Sequence, residues 1–222
     1  MRKRSVVLLS GGLDSSVNLA SCVQEDEPVL ALTAYYGQRS AEREIDAARK
    51  ICHYYNVSHE VVELRWLGQL GGNALTDFTK EIPISQNLDD VSTTQKTARQ
   101  VWVPNRNGIL INMAAAYAEI RDAEQVIVGF NREEAVAFPD NSTEFLHQVS
   151  KSMKFSTLKR ISVHSYTDQM DKIGIIRSVV DMKPTFPWDM IWSCYFGGEA
   201  PCGQCESCLR FKRAWDRVGE SR

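Results

Sequence analysis

Five short runs of strand character, Ser5–Leu9, Val29–Tyr35, His59–Leu64, Gln125–Gly129 and Arg160–Ser165, are separated by stretches whose apolar residues recur at intervals of three and four. Ile45, Ala48, Cys52 and Tyr55 fall on one face of a helix over 41–55, and Phe145, Val149 and Met153 on one face of a helix over 143–154. Further helices are predicted over 17–23, 108–123 and 168–180, and a last, basic one runs through Arg210, Lys212, Arg213, Trp215 and Arg217. Asn105 or Asn107, Asn141 or Ser142, and Thr167 are placed to cap three of them. Alternating strands and helices predict an α/β, Rossmann-like architecture: a parallel five-stranded sheet with right-handed crossovers and helices on both faces.

The periodicity fades between 65 and 103, a span that holds Gly71-Gly72, Pro83 and the polar stretch Asp89–Gln95. So long an irregular connection is read as a lid covering part of the active site, with a functionless mobile segment as the alternative. A chain of 222 residues, 43% hydrophobic, buries one sizeable core with an appendage, divided here into 1–190 and 191–222. The net charge of −2 excludes a surface-wide nucleic-acid platform, so any phosphate binding is local. The apolar run after the basic start Met1–Arg4 is too short to span a membrane and has no small-residue cleavage site, so a cytoplasmic protein is expected.

The chemistry concentrates where strand meets helix. After the first apolar run comes Leu9-Ser10-Gly11-Gly12-Leu13-Asp14-Ser15-Ser16-Val17-Asn18-Leu19. Two glycines open the backbone to a ligand, the helix that follows supplies amides and a positive dipole end, and Ser10, Ser15 and Ser16 add hydroxyls: a phosphate cradle. No lysine follows the glycines, so this is not a Walker loop. Asp14, an anion at an anion site, makes sense as a Mg²⁺ ligand, with plain helix capping as the bland alternative. The pattern S-G-G-x-D-S-S resembles the PP-loop of the adenine-nucleotide α-hydrolases, whose members split ATP into AMP and pyrophosphate. In open α/β sheets ligands gather at the carboxyl ends of strands. The turn Tyr36–Arg39, the loop before the helix at 108, and the exit loop Phe130–Ser142 therefore join the same cleft.

Cys194, Cys202, Cys205 and Cys208 form a C-x7-C-x2-C-x2-C pattern, which suits a closed, structural Zn²⁺ site; thiol exchange is the rival reading. Cys52 and His53 are read as structural, His147 as a surface or packing residue, and Lys172 as solvated unless it lies near the cleft. The basic last helix is read as a solvated face, with phosphate or partner contact as the alternative.

Taken together, the PP-loop, Tyr36-Gly37-Gln38-Arg39, Val103-Pro104-Asn105-Arg106-Asn107, Phe138-Pro139-Asp140 and Ser193-Cys194-Tyr195 through Cys208-Leu209-Arg210 resemble the 7-cyano-7-deazaguanine synthases of queuosine and archaeosine precursor synthesis. The resemblance spans nearly the whole chain. It implies a PP-loop ATPase fold with a small C-terminal zinc module, and conversion of 7-carboxy-7-deazaguanine, ammonia and ATP to the nitrile, AMP and pyrophosphate through an adenylated acid and an adenylated amide. Carried to matching positions, it implies ATP binding by Leu9–Leu19, structural zinc on the four cysteines, and ATP used with Mg²⁺. Ser10, Asp14, Ser15, Arg106 and Lys172 become candidate catalytic residues, and Tyr36, Gln38, Arg39, Arg106, Asn107 and Asp140 candidate substrate contacts. Partners are then small molecules, with no direct nucleic acid and no membrane; a homodimer is expected. The chain departs from the family at Ala135–Ser142, where Ser-Gly-Tyr-Pro-Asp-Cys is usual, and at His164-Ser165-Tyr166, where Thr-Pro-Leu is usual. Both segments are expected to face the base, which leaves open another carboxylated base or a macromolecular acceptor. Rival readings are a PP-loop adenylase acting on tRNA and a non-enzymatic nucleotide or zinc module.

Overall fold

The computed structural model describes residues 2–84, 88 and 90–220. Met1 of the basic start and Asp89 of the polar stretch lie outside the described residues. The strands are β1 (Arg4–Leu8), β2 (Glu27–Tyr35), β3 (His59–Glu63), β4 (Gln125–Ile127) and β5 (Ser162–His164). The helices are α1 (Leu13–Glu25), α2 (Ala41–Tyr55), α3 (Arg65–Gln69), α4 (Val91–Gln100), α5 (Arg106–Ile120), α6 (Arg132–Ala135), α7 (Thr143–Ser156), α8 (Lys172–Val180) and α9 (Glu206–Gly219). The sheet runs β3-β2-β1-β4-β5 with every pair parallel. The chain winds outward from β1 in one direction and returns to start again beside it with β4. That reversal opens a crevice at the carboxyl ends of β1 and β4, where α/β sheets bind ligands.

β1 is central and covered on both faces, which is why it reads as an unbroken apolar run. Val7 joins Leu13, Val17, Ile51, Ile175 and Ile176 on one side, while Val6 joins Leu30, Ile111, Ala114, Val126 and Met153 on the other. Alternation along the strand thus feeds two cores, one under α1, α2 and α8, the other under α5 and α7. The alanines of α5 let it lie close to the sheet.

Several boundaries differ from expectation. The first helix begins at Leu13 rather than Val17, directly off the glycine turn. Asn105 stands at the N-cap of α5, but with a left-handed backbone (φ 53°) and no side-chain cap bond. Thr167 does not cap α8: its hydroxyl donates to the Phe130 carbonyl at 2.6 Å, and Asp171 caps instead by accepting from the Gly174 amide at 2.8 Å. Lys172 therefore opens α8 rather than sitting a turn inside it. Among its described residues, the span 65–103 contains two helices. α4 (VSTTQKTARQ) carries too few apolar residues to show a period and is held by an Asp90 cap that accepts from the Ser92 and Thr93 amides.

A third core explains how that span is anchored: Tyr36, Leu67, Ala74, Leu75, Ile82, Val101 and Val103 pack with Cys194, Cys205 and Cys208. α9 adds Ala214 and Val218 to the core that holds Val7. The C-terminal segment from 191 onward therefore shares its interior with the body of the fold. No helix among the described residues is long and apolar enough to cross a membrane.

Candidate active site

A cavity of about 260 Å³ opens at the carboxyl ends of β1, β2 and β4. Two glycines shape the backbone around it. Gly11 turns with φ +76°, and a Cβ there would lie 2.8 Å from the Glu44 carbonyl oxygen. At Gly129 a Cβ would lie 2.6 Å from the Ser15 amide nitrogen, so only glycine lets the end of β4 pass the first turn of α1. The Ser10 and Ser15 hydroxyls are paired at 3.0 Å, and Ser15 also accepts from the Ser10 amide at 3.2 Å. The C-terminal segment closes the turn from above: Trp192 donates its amide to the Gly11 carbonyl at 2.8 Å, and Ser193 Oγ accepts from the Leu13 amide at 2.9 Å.

Leu9, Ser10, Gly12, Leu13, Asp14 and Ser15 line the cavity. The expected nucleotide-binding run to Leu19 extends no further along the helix, because the following residues turn inward. Ser16, Val17 and Leu19 are fully buried, and Asn18 donates to the Asp14 carbonyl and Thr167 hydroxyl while accepting from the Tyr166 amide.

Asp14 and Lys172, separated by most of the chain, meet in the cavity wall. Lys172 Nζ donates to Asp14 Oδ2 and, at 2.7 Å, to Glu134 Oε1. One ammonium thus serves two partly buried carboxylates. Burial works against the Glu134 charge, but Lys172 outweighs it and holds that carboxyl below its ordinary range. Asp14 carries the uncompensated cost: burial, with Glu134 adding repulsion, pushes its pKa up to about 6 against the pull of Lys172. Its second oxygen, Oδ1, is buried with no hydrogen-bond partner. An unsatisfied carboxylate oxygen beside a phosphate cradle fits a divalent cation. Asp14 would hold it, and the cation would supply charge neutralisation for bound phosphate.

At the other end of the cavity, Arg106 Nη1 donates to the Tyr36 hydroxyl at 3.5 Å. Glu44 accepts from Ser40 Oγ at 2.5 Å and Gln38 Nε2 at 2.9 Å, with its pKa raised by burial. Tyr36, Gln38, Arg106 and Asn107 all line the space, as expected.

Arg39 does not. Its guanidinium donates to the carbonyls of Ala74 and Asp77, each at 2.8 Å, and of Lys80, and it stacks over Phe78 at 5.1 Å. It ties down the 74–80 segment, which contributes Leu75 to the cavity wall. Asp140 also stands back: its carbonyl accepts from Asn107 Nδ2 at 3.2 Å, while Phe138 and Asn141 beside it line the cavity. Of the two departures from the family pattern, the first therefore reaches the site. The second does not, because Ser165 bonds within the Asn18–Phe130 network and Tyr166 donates to Asp26 at 2.7 Å.

Glu44 and Glu134 line the cavity without having been singled out from the sequence, and so do Ser193 and Tyr195, which the sequence marks only as members of the cysteine motif. Glu134 carried a signal, an acidic pair just beyond the fourth strand; Glu44, in the first turn of an ordinary amphipathic helix, carried none. The last helix likewise is not simply a solvated basic face. Arg210 donates to Glu133 Oε1 at 2.5 Å, and Arg213 reaches the same oxygen, whereas Lys212 makes an exposed pair with Asp216.

The four cysteine sulfurs of 194, 202, 205 and 208 lie within 4.8 Å of one another, with Cys202–Cys208 at 3.9 Å and Cys194–Cys205 at 4.0 Å. Tetrahedral thiolates at about 2.3 Å from zinc stand roughly 3.8 Å apart, so the donor set fits. The Gln204 and Cys205 amides point at Cys202 Sγ at 3.4 and 3.3 Å, and Gly203 takes φ +69°, the turn of a metal knuckle.

The family model "Queuosine biosynthesis protein QueC" matches residues 4–219. The chain belongs to this family. A 7-cyano-7-deazaguanine synthase of Desulforudis audaxviator is 50% identical over 217 residues, covering 97% of this chain and 98% of that one. One from Methanosarcina barkeri is 38% identical over 222 residues, covering 97% and 95%. Among solved structures, NMN synthetase from Francisella tularensis covers all of this chain and 87% of its own at 14% identity and a TM-score of 0.47, which adds nothing to the family assignment.

Proposed function

We propose that this chain is an ATP-dependent ligase that turns 7-carboxy-7-deazaguanine and ammonia into 7-cyano-7-deazaguanine, releasing AMP and pyrophosphate. Its relatives' names support the substrate. The observation that carries the chemistry is Asp14, with one buried oxygen unsatisfied and the other on Lys172, beside the Ser10–Ser15 cradle.

A carboxylate resists amines because oxide is a poor leaving group. Its oxygen attacks the α-phosphorus of ATP, the bond to pyrophosphate breaks, and a mixed anhydride results. Ammonia then displaces AMP to give the amide. Adenylation of the amide oxygen by a second ATP lets AMP leave as the C≡N bond forms and two protons depart. Ser10, Ser15 and the first-turn amides of α1 bind the phosphates, and Lys172 meets the charge that develops as pyrophosphate leaves. Arg106, Tyr36, Gln38 and Asn107 orient the base, and the third core, built partly on the cysteine cluster, keeps water from the anhydride. The cysteines hold a structural zinc and Asp14 a Mg²⁺ in this reading. The protein works in the cytoplasm, and the exposed trio Ile120, Phe155 and Leu158 supports pairing with a second copy.

Phe138 and Asn141, at the departure from the family pattern, favour one alternative: a different carboxylated base or a macromolecular acceptor. The test is incubation with ATP, Mg²⁺, ammonium and 7-carboxy-7-deazaguanine, followed by mass detection of AMP and the nitrile. AMP formed only with tRNA assigns the chain to the tRNA-adenylating class, and no AMP with any acceptor removes the enzymatic reading.

A further inference from the structure

A second, much smaller chamber adjoins the main cavity. It has a volume of about 20 Å³, and Glu134, Phe138, Tyr195 and Ser207 line both spaces. A site needs roughly 10–15 Å³ to hold one water-sized molecule, so this one admits a single small occupant. Its polar wall comes from three places in the chain: Thr94 of α4, Glu133 of α6, and Glu206 and Arg210 of α9.

Glu206 is the unusual member. It is only 6% exposed, yet its Oε1 is buried with no hydrogen-bond partner. A buried carboxylate oxygen left unpaired is costly enough to require an occupant that donates. The surrounding charges say which kind. Glu134 is answered by Lys172, and Glu133 by Arg210 and Arg213, whereas Glu206 Oε1 is left without a partner. A water donates two hydrogens and must also accept, whereas an ammonium ion is of similar size, carries four donors and no acceptor, and brings a positive charge to the carboxylate. Thr94 and Ser207 offer hydroxyl acceptors, and Phe138 and Tyr195 offer aromatic rings of the kind that attract cations.

We infer that this chamber is the ammonium-binding site, holding the nitrogen donor one wall away from the activated acid, with Glu206 as its principal acceptor. The inference rests on the proposed ligase reaction and names where its second substrate waits.

The test is steady-state kinetics with ammonium chloride varied at saturating ATP and acid, for wild type, Glu206→Gln, Glu206→Asp and Thr94→Val. Glu206→Gln is expected to raise the KM for ammonium roughly ten-fold or more, the loss typical of one hydrogen bond to a charged group. Glu206→Asp restores part of that, Thr94→Val raises the KM by a smaller factor, and kcat at saturating ammonium stays close to wild type. Acid-dependent ATP–pyrophosphate exchange without ammonium separates the two levels of the argument. Wild-type exchange with an ammonium KM unchanged in Glu206→Gln overturns the chamber alone. Absence of exchange in wild type overturns the ligase reading and the chamber with it. Should Glu206→Gln fail to fold, the Glu206→Asp and Thr94→Val values decide, and wild-type KM in both rejects the site.

Discussion

Replacing Asp14 by Asn should stabilise the fold while abolishing adenylation. The Asp14 side chain is 15% exposed, and burial lifts its pKa from 3.8 to about 6 even with Lys172 in contact. A carboxyl whose folded pKa lies above its unfolded one contributes most when protonated. Its contribution is complete below about pH 3.8 and is lost as pH climbs through about 6. At neutral pH the ionised form therefore costs about two pKa units, or about 3 kcal/mol. Asparagine keeps the shape without the charge, and Lys172 retains Glu134 as its partner. For a chain of this size, 3 kcal/mol corresponds to a rise in Tm of about 6–12 °C. The assay is thermal melting of ligand-free protein at pH 7.5 and pH 5. The variant should melt higher at pH 7.5, and its advantage should shrink by about half at pH 5, where wild-type Asp14 is largely protonated in the fold. Addition of ATP and Mg²⁺ should raise the wild-type Tm and leave the variant where it was. A variant that melts at or below wild type at pH 7.5, or an advantage that does not narrow in acid, refutes the argument that this carboxylate is held ionised at the expense of stability.

Stripping metal with a strong chelator should lower both the melting temperature and ATP affinity, because zinc binding of roughly 10–16 kcal/mol in isolated peptides matches a whole domain's stability; an unchanged melt after elemental analysis confirms removal would reject a structural zinc. Gly129→Ala should cost about 1–3 kcal/mol by overpacking and weaken nucleotide binding measured by calorimetry, since the added methyl meets Ser15 backbone atoms at 2.6 and 2.7 Å; wild-type stability would show that β4 and α1 have room to part. Arg39→Met should speed limited proteolysis within 70–84 and leave the nucleotide-induced thermal shift intact, and loss of that shift would return Arg39 to the ligand site.

What the sequence disclosed follows from how local each signal is. The buried strands β1 and β2, the amphipathic α2 and the cysteine knuckle each declare themselves within one short continuous stretch, and each appears where expected. α4 was hidden because its buried positions include Thr94 and Thr97, which carry no apolar period. Arg39 misled because a cation on a carboxyl-end turn resembles a ligand contact, while its carbonyl acceptors at 74, 77 and 80 leave no trace in composition. Lys172 stands out in the sequence only through the family resemblance, because its own helix gives no sign that the fold sets it against Asp14. Pairings across such separations are made by topology, so Glu44 could be found only once the sheet was in place, and Ser193, visible in the cysteine motif, gained its place beside Leu13 only then.

The Trp192 and Ser193 contacts with Gly11 and Leu13 set an order of events during synthesis. The glycine bend is translated about 180 positions before the two groups that fasten it. A nascent chain thus carries the bend unfastened until residues 192 and 193 emerge. Because those two groups directly precede Cys194, the bend is expected to set only as the cysteine cluster takes shape.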